Sequence, residues 1–61
     1  MKNKVREARK SAGLTQGQAA DMVAISIQAW QNYEYGKTPI PLATWQLFKV
    51  KVALLNDKDP A

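Results

Sequence analysis

The sequence predicts an all-α fold, a compact domain of four helices. Apolar residues recur at helical spacing in four segments. Hydroxyl residues that can cap a helix start precede the second and third segments, and glycine follows the first and the third. The 61 residues leave room for one small domain, which we place at residues 1–55, with a polar tail at 56–61.

The first helix is predicted from Lys2 to Ala12, with Val5 and Ala8 on its inner side. Gly13 follows in the position of a left-handed C-terminal cap. Basic residues occupy the outer face of this helix, which favours a solvated surface. Arg9 differs from them because it lies close to the apolar side.

The second helix is short, and it is predicted from Gln16 to Val23. Thr15 precedes it as the N-cap, and Gln18 completes a capping box with Thr15. Ala19, Ala20 and Val23 form its inner side.

A tight corner at Ala24-Ile25 leads to a third helix, predicted from Ile27 to Tyr35 with Ser26 as its N-cap. Trp30 and Tyr33 share one side of this helix. The opposite side is rich in amides, and it carries Ile27, Gln28, Gln31 and Asn32. Two short helices joined by a corner of three or four residues have helix-turn-helix spacing.

The fourth helix is predicted from Leu42 to about Leu55, with Pro41 in its first turn. It has two apolar arcs. One arc contains Ala43, Leu47, Val50 and Leu54. The other contains Trp45, Phe48, Val52 and Leu55. Because a surface helix of a small monomer needs only one such stripe, we expect one arc to close the core and the other to bind a second copy. We assign the dimer interface to the arc that contains Trp45; in the alternative, both arcs are buried within one domain.

The composition limits what the chain can do. The net charge of +4 favours an anionic partner such as nucleic acid, although ordinary surface solubility explains it equally well. The absence of Cys and His predicts no metal site, no cofactor and no enzyme activity, and no pocket signature suggests a small-molecule ligand. Apolar runs of four residues at most are too short for a membrane span or a signal peptide, so we expect a cytoplasmic protein.

Several of these residues together resemble the lambda-repressor-like helix-turn-helix family, which includes phage repressor and Cro proteins. The resemblance covers Val5 to Gly36 without a gap, and its residues are Arg9, Gly13-Leu14-Thr15-Gln16, Ala20, Ile25-Ser26, Trp30 and Tyr33-Glu34-x-Gly36. The segments around Trp30, Pro39 and Trp45 also resemble compact regulators of phages or mobile elements, including some associated with anti-CRISPR genes.

The resemblance implies roles for individual residues. The positions that would read DNA bases are Ile27, Gln28, Gln31 and Asn32. The positions that would contact DNA phosphates are Thr15, Gln16, Ser26, Lys37 and Thr38. Arg9 and Glu34 match a structural ion pair that links the first helix to the end of the third. An amide can pair with adenine and Ile27 can press on a thymine methyl, but a capping residue at Gln16 and an ordinary exposed polar face remain alternatives.

Three departures from the family pattern also stand out. Ala24 occupies a corner where the family often has Gly, and a left-handed Ala there carries about 1 kcal/mol of strain. Gly17 weakens the first turn of the second helix. The frequent fifth helix is missing, replaced by one longer fourth helix, so the family's dimer geometry does not carry over. Ala24 and Gly17 both favour a marginal monomer that is stabilised by dimerisation.

Taken together, these features predict a sequence-specific double-stranded DNA-binding transcriptional regulator. The resemblance implies a repressor, often of its own operon, that binds a palindromic operator as a homodimer. One alternative is a protein-interaction module, such as an antitoxin that covers a toxin with its last helix. Another is a transcriptional activator that contacts RNA polymerase.

Overall fold

The computed structural model describes residues 3–56 and confirms the all-α fold predicted from the sequence. Within that range it contains four helices and no strand. The helices are α1 (Lys4–Ser11), α2 (Gln16–Met22), α3 (Ile27–Tyr35) and α4 (Leu42–Asn56). The helix start predicted at Lys2 and residues 57–61 of the predicted tail lie outside the described residues, whereas Asn56, placed in the tail, ends α4. No helix within residues 3–56 is long and apolar enough to cross a bilayer.

Side-chain caps determine where the first three helices begin. The capping box at the start of α2 is formed as predicted: the Gln18 amide N donates to Thr15 Oγ1 at 3.1 Å, and the Thr15 amide N donates to Gln18 Oε1 at 2.9 Å. Ser26 Oγ accepts from the Ala29 amide N at 3.1 Å. α1 begins later than predicted, because Asn3 Oδ1 accepts from the Val5 amide N at 2.8 Å and so caps that helix.

Left-handed residues terminate the helices and turn the chain. Gly13 has a φ of +73° after α1, and Gly36 has a φ of +79° after α3. α2 ends at Met22, one residue earlier than predicted, and Val23 caps it. Ala24 forms the corner with a φ of +59°, the one non-glycine residue in the described range with a positive φ. The predicted left-handed Ala is therefore present, along with its steric cost.

The core lies where α1, α2 and α3 meet α4. Its fully or nearly fully buried apolar members are Val5, Ala19, Ala20, Val23, Trp30 and Phe48. The Trp30 and Phe48 rings are 4.9 Å apart at their centroids and tilted by 49°, a favourable aromatic geometry. Small alanines on α2 let α3 approach closely, so Trp30 fills the space between the helix-turn-helix and α4.

The dimer interface assigned from the sequence is wrong for Phe48, and two more of its four residues pack against the domain's own core. Phe48 has no exposed surface, and Trp45 and Val52 are partly buried against the same core. Leu55, the fourth, is 43% exposed. The aromatic arc closes the core because its rings bury more apolar area against Trp30 than aliphatic side chains would. The exposed arc is the one that contains Leu47.

Candidate nucleic-acid interface

The amide-bearing side of α3 is open to solvent. Ile27 is 50% exposed, Gln28 is exposed, and Gln31 and Asn32 are half-buried. α4 packs through Phe48 against Trp30, which lies on the opposite side of α3. The four residues predicted to read bases therefore share one accessible surface, which we call the α3 face.

Two amides of the α3 face orient each other. Gln28 Nε2 donates to Asn32 Oδ1 at 3.3 Å, one helical turn further along. This bond leaves Gln28 Oε1 available as an acceptor and Asn32 Nδ2 as a donor. An acceptor and a donor side by side are what an adenine edge requires in the major groove.

A third amide, that of Gln31, is hydrogen-bonded to a residue of α2. Gln31 Nε2 donates to Gln16 Oε1 at 3.1 Å, and Gln16 Nε2 donates to Glu34 Oε1 at 3.1 Å. Glu34 as a carboxylate can only accept, so the Gln16 amide must turn its nitrogen towards Glu34 and its oxygen towards Gln31. The Gln31 amide is oriented in turn, with its oxygen away from α2.

Glu34 is the centre of a buried network that supports the α3 face. Arg9 Nε donates to Glu34 Oε2 at 2.5 Å and Nη2 donates to Oε1 at 3.4 Å, so the two residues paired by sequence form an ion pair. Trp30 Nε1 donates to Oε2 of the same carboxylate. Arg9 Nη1 also donates to the Leu14 carbonyl at 2.9 Å. Every partner a buried carboxylate needs is thus supplied from α1, α2 and α3.

The pKa of the Glu34 carboxyl is lowered from its ordinary value. Burial raises it, but hydrogen bonds from Arg9, Gln16 and Trp30, together with the positive charge of Arg9, outweigh burial. Glu34 is therefore ionised at neutral pH, which keeps it an obligate acceptor and fixes the direction of the bonds from Arg9, Gln16 and Trp30.

The residues predicted to contact phosphates lie at the starts of α2 and α3 and just beyond the end of α3. Thr15 and Ser26 sit at the starts of α2 and α3, where their oxygens already accept capping bonds and their hydroxyl hydrogens remain to donate. Lys37 and Thr38 lie beyond Gly36, and their backbone amides donate to the Asn32 carbonyl at 3.0 and 3.3 Å. This hydrogen-bonded turn places the exposed, positively charged Lys37 just beyond the end of α3. Gln16 differs from the rest because both ends of its amide bond within the protein.

Gly17 and the basic residues around Trp45 add features that the sequence did not predict. A Cβ at Gly17 would lie 3.8 Å from Ile27 Cδ1, so α2 passes directly beside the first residue of the α3 face. Lys4 Nζ and Lys49 Nζ lie 5.2 and 5.7 Å from the Trp45 ring centroid, within cation–π range. The Lys4 contact joins α1 to α4 and so has no local sequence signature, whereas Lys49 lies one turn after Trp45 on the same helix.

A capped α2, a left-handed corner and an α3 whose outer face presents amides define a helix-turn-helix DNA-binding domain. The chain matches the family described as a helix-turn-helix domain over residues 3–55, and it belongs to that family. A search of curated proteins found no match. Family membership indicates a DNA-binding regulator, a class that is typically non-enzymatic. The narrower resemblance to lambda-repressor-like and phage regulators stays a prediction.

Proposed function

We propose that this protein is a sequence-specific transcriptional repressor that binds a palindromic operator in double-stranded DNA as a homodimer. Two α3 helices enter successive major grooves about 34 Å apart. Occupation of the promoter excludes RNA polymerase, and the operon repressed is the protein's own, as the resemblance implies.

The observation that carries this proposal is the open, internally braced α3 face. Its amides are accessible, while the residues beneath them are buried and hydrogen-bonded. A groove reader needs this combination, because side chains that are already oriented lose less conformational freedom on binding.

Different residues are assigned to reading the bases and to binding the phosphates. Ile27 presses on a thymine methyl, and Gln28, Gln31 and Asn32 hydrogen-bond to base edges. Thr15, Gln16 and Ser26 at the starts of α2 and α3, with Lys37 and Thr38 beyond the end of α3, bind the phosphates that flank the groove. Phosphate contacts set affinity and its salt dependence, whereas the amides set sequence preference.

Selection of bound duplexes from random DNA tests the proposal, because it returns the site, its symmetry and the half-site spacing together. Gln28→Ala should then relax preference at one or two base pairs. Lys37→Ala should weaken binding to all duplexes alike and reduce the salt dependence. Lys49→Ala removes the same charge from α4 and is the matched control.

If Gln28→Ala weakens binding to operator and random DNA equally, the base-reading role is wrong. If the protein binds no duplex of any sequence, the repressor proposal is wrong.

The exposed apolar arc of α4 favours a second candidate, a protein-interaction module of the antitoxin type. Co-purification with the product of a neighbouring gene, without selection of any DNA site, would support it. An activator would select a site as a repressor does, but the site would lie upstream of the promoter rather than across it.

A further inference from the structure

The outer side of α4 carries an uncovered apolar stripe, here called the α4 seam. Its members are Ala43, Leu47, Val50 and Leu54. Leu47 is 42% exposed, Val50 57% and Leu54 66%, and Ala43 is also exposed. Phe48 and Trp45 face the core on the other side of the same helix. Within the part of the chain that the structure describes, the domain's own packing leaves this seam in solvent.

The spacing of the seam residues matches a coiled-coil contact. Steps of four, three and four residues separate Ala43, Leu47, Val50 and Leu54. These are the steps between successive core positions of a heptad. The same order of steps is read from either end of the helix. A two-fold axis midway between Leu47 and Val50 therefore superposes the seam on itself, as a symmetric dimer interface requires.

We propose that the α4 seam pairs with the seam of a second copy of the chain in antiparallel orientation. Leu47 then faces Val50 of the second copy, and Ala43 faces its Leu54. The inference rests on the proposed function only in requiring a two-fold assembly on DNA, and it names the surface that makes that assembly.

Side-chain volumes favour antiparallel over parallel pairing. Antiparallel pairing sets the small Ala43 against the larger Leu54 at both ends, so the contact is filled evenly. Parallel pairing sets Ala43 against Ala43 and leaves a gap at that end, so the contact is filled unevenly along the helix. Leu54 also borders an apolar groove of about 390 Å³ lined with Met22, Lys51 and Leu55. A small residue opposite Leu54 lets the second helix approach this groove closely.

Charge is compatible with self-pairing. The seam itself contains no charged residue, and α4 contains no acidic one. Lys51 flanks the seam, and in the antiparallel register it lies beside Thr44 of the second copy rather than opposite another lysine. The seam can therefore close without burying a cation or requiring an acidic partner.

The seam is small for an interface. A stable interface buries about 800 Å² on each partner, which four side chains no larger than leucine do not reach alone. The free protein should therefore dimerise weakly, and two adjacent half-sites should raise its effective concentration and complete the dimer. Operator binding should be steeply cooperative in protein concentration.

Disulfide cross-linking tests orientation directly, because the chain contains no cysteine. Ala43→Cys and Leu54→Cys are prepared separately and then mixed under mild oxidation at high micromolar concentration. The mixture should form a covalent dimer joined from position 43 to position 54, identified by mass spectrometry of the linked peptides. Ala43→Cys alone should not cross-link, because its two copies lie about 16 Å apart, well beyond the disulfide limit of about 7 Å.

Cross-linking of Ala43→Cys with itself would show parallel pairing and overturn the proposed register. No specific cross-link in either sample, with a monomer in sedimentation at the same concentration, would overturn the seam as a self-pairing surface and leave it to a different protein partner.

A pair of leucine variants separates dimer failure from failure to bind DNA. Leu47→Glu buries a charge in the seam, whereas Leu42→Glu places the same charge on an exposed leucine at the start of α4, outside the seam. Leu47→Glu should lose at least tenfold in affinity for the full operator while keeping its affinity for a single half-site. Leu42→Glu should match the parent on both. If the two variants bind DNA equally well, the α4 seam is not the dimer interface. If the cysteine variants cross-link specifically but the protein binds no DNA, the seam still pairs two copies and the repressor function is wrong.

Discussion

Trp30 and Glu34 are joined by a hydrogen bond from the indole Nε1 to the carboxylate Oε2, one turn apart on α3. Trp30 is fully buried, so its ring packs on Phe48 while its one polar atom serves a buried anion. Arg9 from α1 and Gln16 from α2 bind the same carboxylate. One acceptor therefore holds three helices in register beneath the α3 face.

Trp30→Phe should lower the free energy of unfolding by about 1–3 kcal/mol, because it keeps an aromatic ring but removes one donor from a buried charge. Urea denaturation measures this loss. Trp45→Phe is the matched control, since Trp45 stacks on Phe48 but makes none of the hydrogen bonds to Glu34. Equal losses for the two variants would show that ring volume, not the hydrogen bond, matters at position 30.

Arg9→Ala should destabilise the domain by about 3–5 kcal/mol, because it leaves the Glu34 carboxylate buried without its counter-ion. The affinity for DNA should fall as well, because a smaller fraction of the protein is folded. A thermal melt of Arg9→Ala checks this, with the exposed Arg6→Ala as the charge-matched control. A melt that matches the parent would mean that the ion pair contributes little.

Stability should fall in acid through Glu34. The folded pKa of this carboxyl lies below its ordinary value of 4.5, so its contribution is complete above that pH. The contribution is then lost as pH falls through the lowered folded value. Glu34→Gln should be less stable at neutral pH and should show a shallower acid decline. Parallel pH curves of unfolding free energy for parent and variant would exclude Glu34 as the source.

Ala24→Gly should raise the free energy of unfolding by about 1 kcal/mol, because Gly adopts a φ of +59° without a Cβ clash. Ala12→Gly is the control: Ala12 has a φ of −83°, where Ala is unstrained and Gly only adds flexibility to the unfolded chain. Denaturant titration should therefore give opposite signs for the two variants. A destabilised Ala24→Gly would show that the corner is not strained.

Gln16→Ala should affect sequence preference as well as affinity. Gln16 links Glu34 to Gln31, so its removal frees the Gln31 amide to rotate. Binding to the selected operator should fall more than binding to random duplexes. Gln46→Ala, an exposed glutamine on α4, is the control. Equal losses on both kinds of DNA would assign Gln16 to a phosphate contact alone.

Local chemistry explains what the sequence could predict. The caps at Thr15 and Ser26 and the left-handed Gly13 depend on residues a few positions apart, and all three are present. Asn3 has the same kind of local signal. Strong helix formers surround it, however, so helix propensity favours a first helix that runs through Asn3.

Tertiary packing explains what the sequence could not predict. Periodicity showed that α4 has two apolar arcs, but nothing local indicated that the Phe48 arc would face Trp30. The bond from Trp30 to Glu34 has no local signal either, because helical spacing places the tryptophan on the apolar side but does not show where its single donor points. Helical spacing alone predicted the open α3 face. It did not predict that Gln16 of α2 orients Gln31 through a hydrogen bond.

The braced network and the α3 face share few residues, and this separation makes the domain a reprogrammable scaffold. Ile27, Gln28 and Asn32 make none of the bonds to Glu34, so varying them together should alter which operator is chosen while the melting temperature stays nearly constant. Gln31 is the exception, tied to the frame through Gln16. New specificities should therefore arise most readily from the first three positions, with Gln31 kept as an anchor.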